Sequence, residues 1–162
     1  MRVVVGDLWT QPAIWRVIPT NLTGVMGRGV ARQARDRYPG LESAYKSACT
    51  RGEGAVWTFP EMKFGVVCLA VKRHWRDRAD ITMISSGLES LRHITAPTVL
   101  PLLGCGFGEL DPLPVLVQIA ASLTTDNFVL VLPDANVVQT YPESFVPGSR
   151  RDRFADSVSG VD

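Results

Sequence analysis

Six short apolar runs, rich in β-branched residues, recur along the chain at Arg2–Gly6, Ile14–Pro19, Val56–Phe59, Gly65–Val71, Thr98–Leu103 and Asn127–Leu132. Each has the length of a strand, and several of the stretches between them carry the three-to-four-residue apolar spacing of a helix. Strands that alternate with helices predict an α/β fold, a mixed and mostly parallel sheet with helices on both faces. Ligands in such sheets gather outside the carboxyl ends of the strands.

The connecting stretches can be placed from their punctuation. A glycine-rich turn, Gly24 to Gly29, leads into a helix reaching Tyr38, with Met26, Val30, Ala31, Ala34 and Tyr38 on one side and Arg28, Arg32 and Arg35 on the other. Pro39-Gly40 stops it. Pro60-Glu61-Met62-Lys63 reads as a hairpin connection between two strands, the second of which, apolar throughout, reads as central. Asp80 caps a helix running to about His93, in which Ile81, Ile84, Leu88 and Leu91 recur at helical spacing. Gly87 inside that helix costs about 1 kcal/mol relative to Ala, which points to a close approach to the sheet. Asp111-Pro112 pairs an N-cap with proline at the first helical position and opens a helix through Leu123. Residues 1–146 read as one domain and 147–162, polar and charged, as a frayed tail.

Composition narrows the function classes. The 162 residues are 46% apolar and carry 17 Lys plus Arg against 16 Asp plus Glu, a net charge of +1, which does not mark a globally basic nucleic-acid binder. Ile94 to Gly108 is the longest uncharged run, and its prolines and glycines break it, so no bilayer span is expected. Met1 to Val5 turns at Gly6-Asp7 too soon for a signal peptide. Three cysteines at scattered spacings argue against a disulfide framework and for a reducing, cytoplasmic setting. With two histidines and no Cys-x-x-Cys pair, neither a zinc site nor another metal or cofactor is expected.

Two constellations carry chemistry. Asn21-Leu22-Thr23-Gly24-Val25-Met26-Gly27-Arg28-Gly29-Val30 joins a strand end to a helix start through three glycines. Glycines let a backbone approach a ligand closely, and N–H groups at a helix start favour an anion, so a phosphate or diphosphate is the natural guest; a tight turn with no ligand accounts for the same glycines. Gly104-Cys105-Gly106-Phe107-Gly108 is a second such loop at another strand end, and two of them can clamp one diphosphate from both sides. Cys105 reads as a small buried thiol rather than a nucleophile, since no histidine stands at a recognisable partner spacing.

Gly6-Asp7-Leu8, Asn21 before Gly24 to Ala31, and Pro101 to Gly108 together resemble the macrodomain, a module that binds ADP-ribose, over roughly Met1 to Phe145. Val71-Lys72-Arg73-His74-Trp75-Arg76, followed by a helix containing Gly87-Leu88, resembles the antitoxin-type DNA ADP-ribosyl glycohydrolases. The resemblance implies a three-layer α/β/α fold around about six strands. It implies that Asp7 and Leu8 meet the adenine, with Pro133 where an aromatic residue often stacks on it. Gly24, Val25, Met26, Gly27, Gly29, Val30, Gly104, Cys105, Gly106, Phe107 and Gly108 would hold the diphosphate and distal ribose, with Asn21 on that ribose. Lys72 matches the catalytic lysine, and His74 would assist proton transfer or hold a phosphate. Three positions depart from the pattern: Ile18 stands where related enzymes carry Asn, Gly108 where a human relative carries a catalytic Asp, and Pro133 where the stacking aromatic residue is usual.

A lysine suits the chemistry. Cleavage at the ribose C1″ passes through an oxocarbenium-like state or an opened sugar that an amine can attack, and crowding by Arg73, His74 and Arg76 favours the nucleophilic form. Arg73, Trp75 and Arg76 also make a phosphate-and-stacking surface for single-stranded nucleic acid, although a solvated loop with Trp75 packed beneath it explains the same run. The expected function is removal of ADP-ribose from a nucleic-acid base, most naturally DNA, by a monomeric antitoxin of an ADP-ribosyltransferase toxin. A non-catalytic ADP-ribose reader, and hydrolysis of ADP-ribose from protein carboxylates or of its acetylated form, are the alternatives.

Overall fold

A computed structural model describes residues 1–59 and 65–133. The expected hairpin connection at Pro60 to Lys63 and the expected tail 147–162 lie outside the described residues. Among the described residues six strands form one sheet: β1 (Arg2–Val5), β2 (Trp15–Asn21), β3 (Val56–Phe59), β4 (Gly65–Lys72), β5 (Thr98–Pro101) and β6 (Phe128–Leu132). Their order across the sheet is β1-β6-β5-β2-β4-β3, and every pairing is parallel except the antiparallel β3–β4.

Four helices among the described residues cover the two faces: α1 (Gly29–Arg37), α2 (Leu41–Thr50), α3 (Ile81–Leu91) and α4 (Pro112–Ser122). The two-residue period of the strands sorts their side chains. Val67, Leu69 and Val71 of β4 join Ile84 and Leu88 of α3 and Val115 and Ile119 of α4 in one core. Val66 and Cys68 of the same strand face the other way, to Ala34 of α1 and Leu41 and Tyr45 of α2. The result is the three-layer α/β/α arrangement.

The punctuation holds where it has a mechanism. Asp80 Oδ1 accepts the Thr82 N–H at 2.8 Å and Asp111 Oδ1 the Leu113 N–H at 3.0 Å, so both act as N-caps. A Cβ on Gly87 would meet Leu69 Cγ at 2.7 Å, which is the close approach of α3 to β4. Three details differ from the sequence reading. β4 is buried along its length but lies one strand from the edge, between β2 and β3. β2 runs on past Pro19 to Asn21, because its register with β5 covers only Trp15 and Arg16 and Pro19 faces no pairing demand there. α2 was not expected at all: its polar hydroxyl-bearing residues dilute the apolar spacing of Leu41, Tyr45 and Ala48.

Candidate active site

The strands β1, β6, β5, β2 and β4 are neighbours and parallel, so their carboxyl ends stand in a row. Reading along it, Asp7 follows β1, Pro133 follows β6, the Gly104–Gly108 loop follows β5, the Gly24–Gly29 loop follows β2, and Lys72 closes β4. At ~4.8 Å between strands the row is about 19 Å long. An extended nucleotide diphosphate sugar laid across it would meet these groups in that order.

A cleft of about 590 Å³ opens over the middle and far end of the row. Asn21, Val25, Gly27, Gly29 and Val30 line one wall. Gly104, Gly106, Phe107 and Gly108 line the facing wall, and Lys72, Trp75 and Arg76 close the end. The other sequence-selected residues sit elsewhere. Leu8 and Met26 are buried in the core on the α1 and α2 side, Gly24 packs against Lys46 of α2, and Cys105 packs against the core on the α3 and α4 side. Asp7 and Pro133 lie exposed at the near end of the row. Arg73 faces a different groove, and His74 stands on the loop outside the cleft, with Nδ1 accepting the Arg76 N–H at 3.2 Å.

The first loop is held from below. Asn21 Nδ2 donates to the Val25 carbonyl at 2.8 Å while its Oδ1 accepts the Val25 N–H at 3.2 Å and the Thr23 hydroxyl at 2.6 Å. Glu42 of α2 accepts the Met26 N–H at 2.9 Å. Gly24, at φ +73°, sits so close to α2 that a Cβ would meet Lys46 Cα at 2.6 Å. Beyond these anchors α1 begins with no side-chain cap and no acidic residue in its first turn. Its first N–H groups therefore have no partner within the helix and belong to residues that line the cleft, an arrangement that favours negative charge.

The second loop is shaped by its glycines. Leu110 N–H returns to the Gly104 carbonyl at 3.0 Å and Glu109 N–H to the Gly106 carbonyl at 3.0 Å, leaving the N–H groups of Gly106 and Phe107 without an acceptor among the described residues. A Cβ on Gly108 would strike the Gly104 carbonyl oxygen, so a carboxylate at this position has no room. Phe107, 61% exposed, closes against Gly29 and carries the Arg28 guanidinium 5.5 Å from its ring centre. Glu109 adopts φ +60°, the left-handed region, and its carbonyl and carboxylate both hold Arg78 of the loop after β4.

Lys72 ties the end wall to the second loop. Its Nζ donates to the carbonyls of Asp77 at 3.0 Å and Phe107 at 3.4 Å. Trp75 lies beyond it, 40% exposed, with Arg76 stacked 4.6 Å from its ring centre. The Cys105 thiol is pushed up to about 11, first by burial and then by the charge of Asp111, which suits packing rather than nucleophilic attack. Ile18 is fully buried in the core, so that position packs and does not reach a ligand. Among the described residues no three His, Cys, Asp or Glu gather as a metal site, and no helix is long and apolar enough to cross a membrane.

Glu42 escaped the sequence reading, and Glu109 reads there as a capping or solvated group, not as the holder of Arg78. Glu42 lies in the unexpected helix, and Glu109 differs from a solvated carboxylate only in its backbone conformation.

The macrodomain of Mycobacterium tuberculosis DarG superposes on this fold with a TM-score of 0.72 at 27% identity, covering 82% of this chain and 99% of that one. The chain is a macrodomain. No protein-family model matches it. The DNA ADP-ribosyl glycohydrolase of Mycobacterium tuberculosis (strain ATCC 25618 / H37Rv) is 31% identical over 151 residues, 86% of this chain and 41% of that protein. Thermosipho africanus DarTG, solved in complex with ADP-ribose, shares the fold at a TM-score of 0.73 and 22% identity, over 83% of this chain and 42% of that one. The macrodomain thus spans about two fifths of the curated relatives it matches, and its sequence likeness is to the DarG branch.

Proposed function

We propose that this macrodomain removes ADP-ribose from a DNA base, as the antitoxin half of a pair with an ADP-ribosyltransferase. The observation that carries the reading is Lys72 Nζ, held at the end of a cleft whose two walls offer backbone N–H groups with no acceptor among the described residues. The diphosphate sits between the first turn of α1 and the Gly106–Phe107 amides, where helix dipole and N–H groups favour negative charge. The adenosine then lies toward Asp7 and Pro133, and the distal ribose lies toward Lys72. Names of relatives support the same reading, being DNA ADP-ribosyl glycohydrolases and, in one case, a fusion with a DNA ADP-ribosyl transferase.

At C1″ the bond to the base nitrogen breaks and its electron pair leaves with the base, which takes up a proton. The Lys72 amine either attacks C1″, forming a bond that water later hydrolyses, or stabilises the cationic sugar while water adds directly. Both routes consume one water and return ADP-ribose, an unmodified base and free Lys72. The longer bond, to Phe107, is the one Nζ gives up to reach the sugar. Asn21, whose amide is engaged with Val25, acts on the ribose through the loop it braces. Trp75 and Arg76 receive the DNA strand at the cleft mouth, a base on the indole and a phosphate on the guanidinium.

Incubation of a single-stranded oligonucleotide carrying one ADP-ribosylated base with wild type and Lys72→Ala tests this. Release of ADP-ribose by wild type and its loss in the variant support the reading. The lack of room for a carboxylate at Gly108 favours a second reading, a binder that does not hydrolyse. Calorimetric binding of ADP-ribose with no turnover of modified DNA or protein would select it.

A further inference from the structure

We propose that the groove between α3 and the start of β3 is a second nucleotide subsite, which takes a flanking nucleotide of the same DNA strand whose modified base lies at Lys72. The inference rests on the DNA reading above and extends it to a part of the molecule outside the ADP-ribose cleft.

The segment leaving β4 is a ridge between two depressions. Lys72, Trp75 and Arg76 face the cleft between the glycine loops, whereas Arg73 faces a separate groove of about 500 Å³. Val56 and Met83 give that groove apolar walls, and Thr82, Ser86 and Ser90 set hydroxyl groups one helical turn apart along α3. The Thr82 and Ser86 hydroxyls make no hydrogen bond among the described residues. A volume of this size admits a nucleoside: a base between the apolar walls, its polar edge on the hydroxyls, its phosphate on the guanidinium.

One cation of the groove, Arg73, is placed to take a phosphate. Glu53 and Asp80 also face the groove: Glu53 is paired with Arg51 at 2.9 Å, whereas Asp80, whose Oδ1 accepts the Thr82 N–H as the helix cap, keeps its negative charge at the end of the groove where α3 begins. Arg73 has no ion pair among the described residues, so its guanidinium is the lining cation available to a ligand there. Adjacent Cα atoms are about 3.8 Å apart, so Arg73 and Lys72 are within reach of phosphates one or two nucleotides from the reacting sugar. A strand crossing from cleft to groove passes over Trp75 on the ridge.

Ser86→Leu fills the groove from an exposed helical position without touching the cleft. On an oligonucleotide modified at one central base, this variant is expected to raise KM about tenfold, the worth of one stacked base, with kcat unchanged. On the ADP-ribosylated mononucleotide, which has no flank, both constants stay at wild-type values. Anisotropy with the unmodified oligonucleotide gives a readout independent of turnover: Arg73→Ala lowers the slope of log K against log salt by about 0.7, and Arg73→Lys restores it. Equal KM for wild type and Ser86→Leu on the oligonucleotide, or an equal loss on the mononucleotide, overturns the subsite, as does an unchanged salt slope. Absence of turnover in wild type overturns the glycohydrolase reading alone, and the anisotropy still decides the groove.

Discussion

The carboxylate of Glu42, in the first turn of α2, accepts the backbone N–H of Met26 at 2.9 Å and so fixes the first glycine loop to the helix beneath it. A hydrogen bond to a charged acceptor contributes about 1.5–3 kcal/mol, more than a neutral one. Glu42→Ala is expected to lower thermal stability and to weaken ADP-ribose binding by about tenfold, since the loop loses its preformed shape. Calorimetry on the variant checks both, and wild-type affinity would show that the loop holds itself.

Gly108 explains why this site does without a loop carboxylate. A Cβ there strikes the Gly104 carbonyl and approaches Ala79 Cβ at 2.7 Å, so the loop must open to accept any side chain. Gly108→Asp is expected to cost about 1–3 kcal/mol, the range for overpacking, and to lower turnover rather than raise it. Thermal melts and the oligonucleotide assay decide the matter, and a stable, faster variant would contradict it.

Cys105 offers a pH test. Burial raises its folded pKa to about 11, against about 8.5 for an exposed thiol. The folded state thus binds more protons between those values. Its contribution to stability is complete below about 8.5 and is lost as pH rises through 11. Alkylation of Cys105 in the folded protein is expected to be slow at pH 8 and to accelerate toward pH 11, and Cys105→Ser retains turnover. Rapid alkylation at pH 8, or loss of turnover in the serine variant, would give the thiol a part in the chemistry.

Asp80 caps α3, the helix that borders the loop after β4. Asp80→Ala is expected to cost about 1 kcal/mol and Asp80→Asn much less, because both Asp and Asn accept the N–H of Thr82. Denaturant midpoints of the two variants measure the difference.

These examples show what the sequence could reveal. Asp80 and Asp111 were legible because a cap is a local event between residues two apart. Gly87 was legible because a glycine inside a helix needs a packing reason, and Leu69 supplies it. The glycine loops were legible as loops because their composition marks tight turns at strand ends, and both line one cleft. Glu42 was not legible, since its partner Met26 lies sixteen residues away and α2 had not been recognised. The division of the basic segment was hidden for another reason. Arg73 and Arg76 read as one surface along the chain, yet the turn held by Asp77, whose carboxylate accepts the His74 N–H at 2.9 Å, sends them to different depressions.

Crystals soaked with ADP-ribose test the central claim most directly. The account predicts the diphosphate between the first turn of α1 and the amides of Gly106 and Phe107, with C1″ about 3.5 Å from Lys72 Nζ, the separation of a near-attack arrangement. Density elsewhere on the molecule, an empty cleft at saturating ligand, or a distal ribose turned away from Lys72 would contradict it.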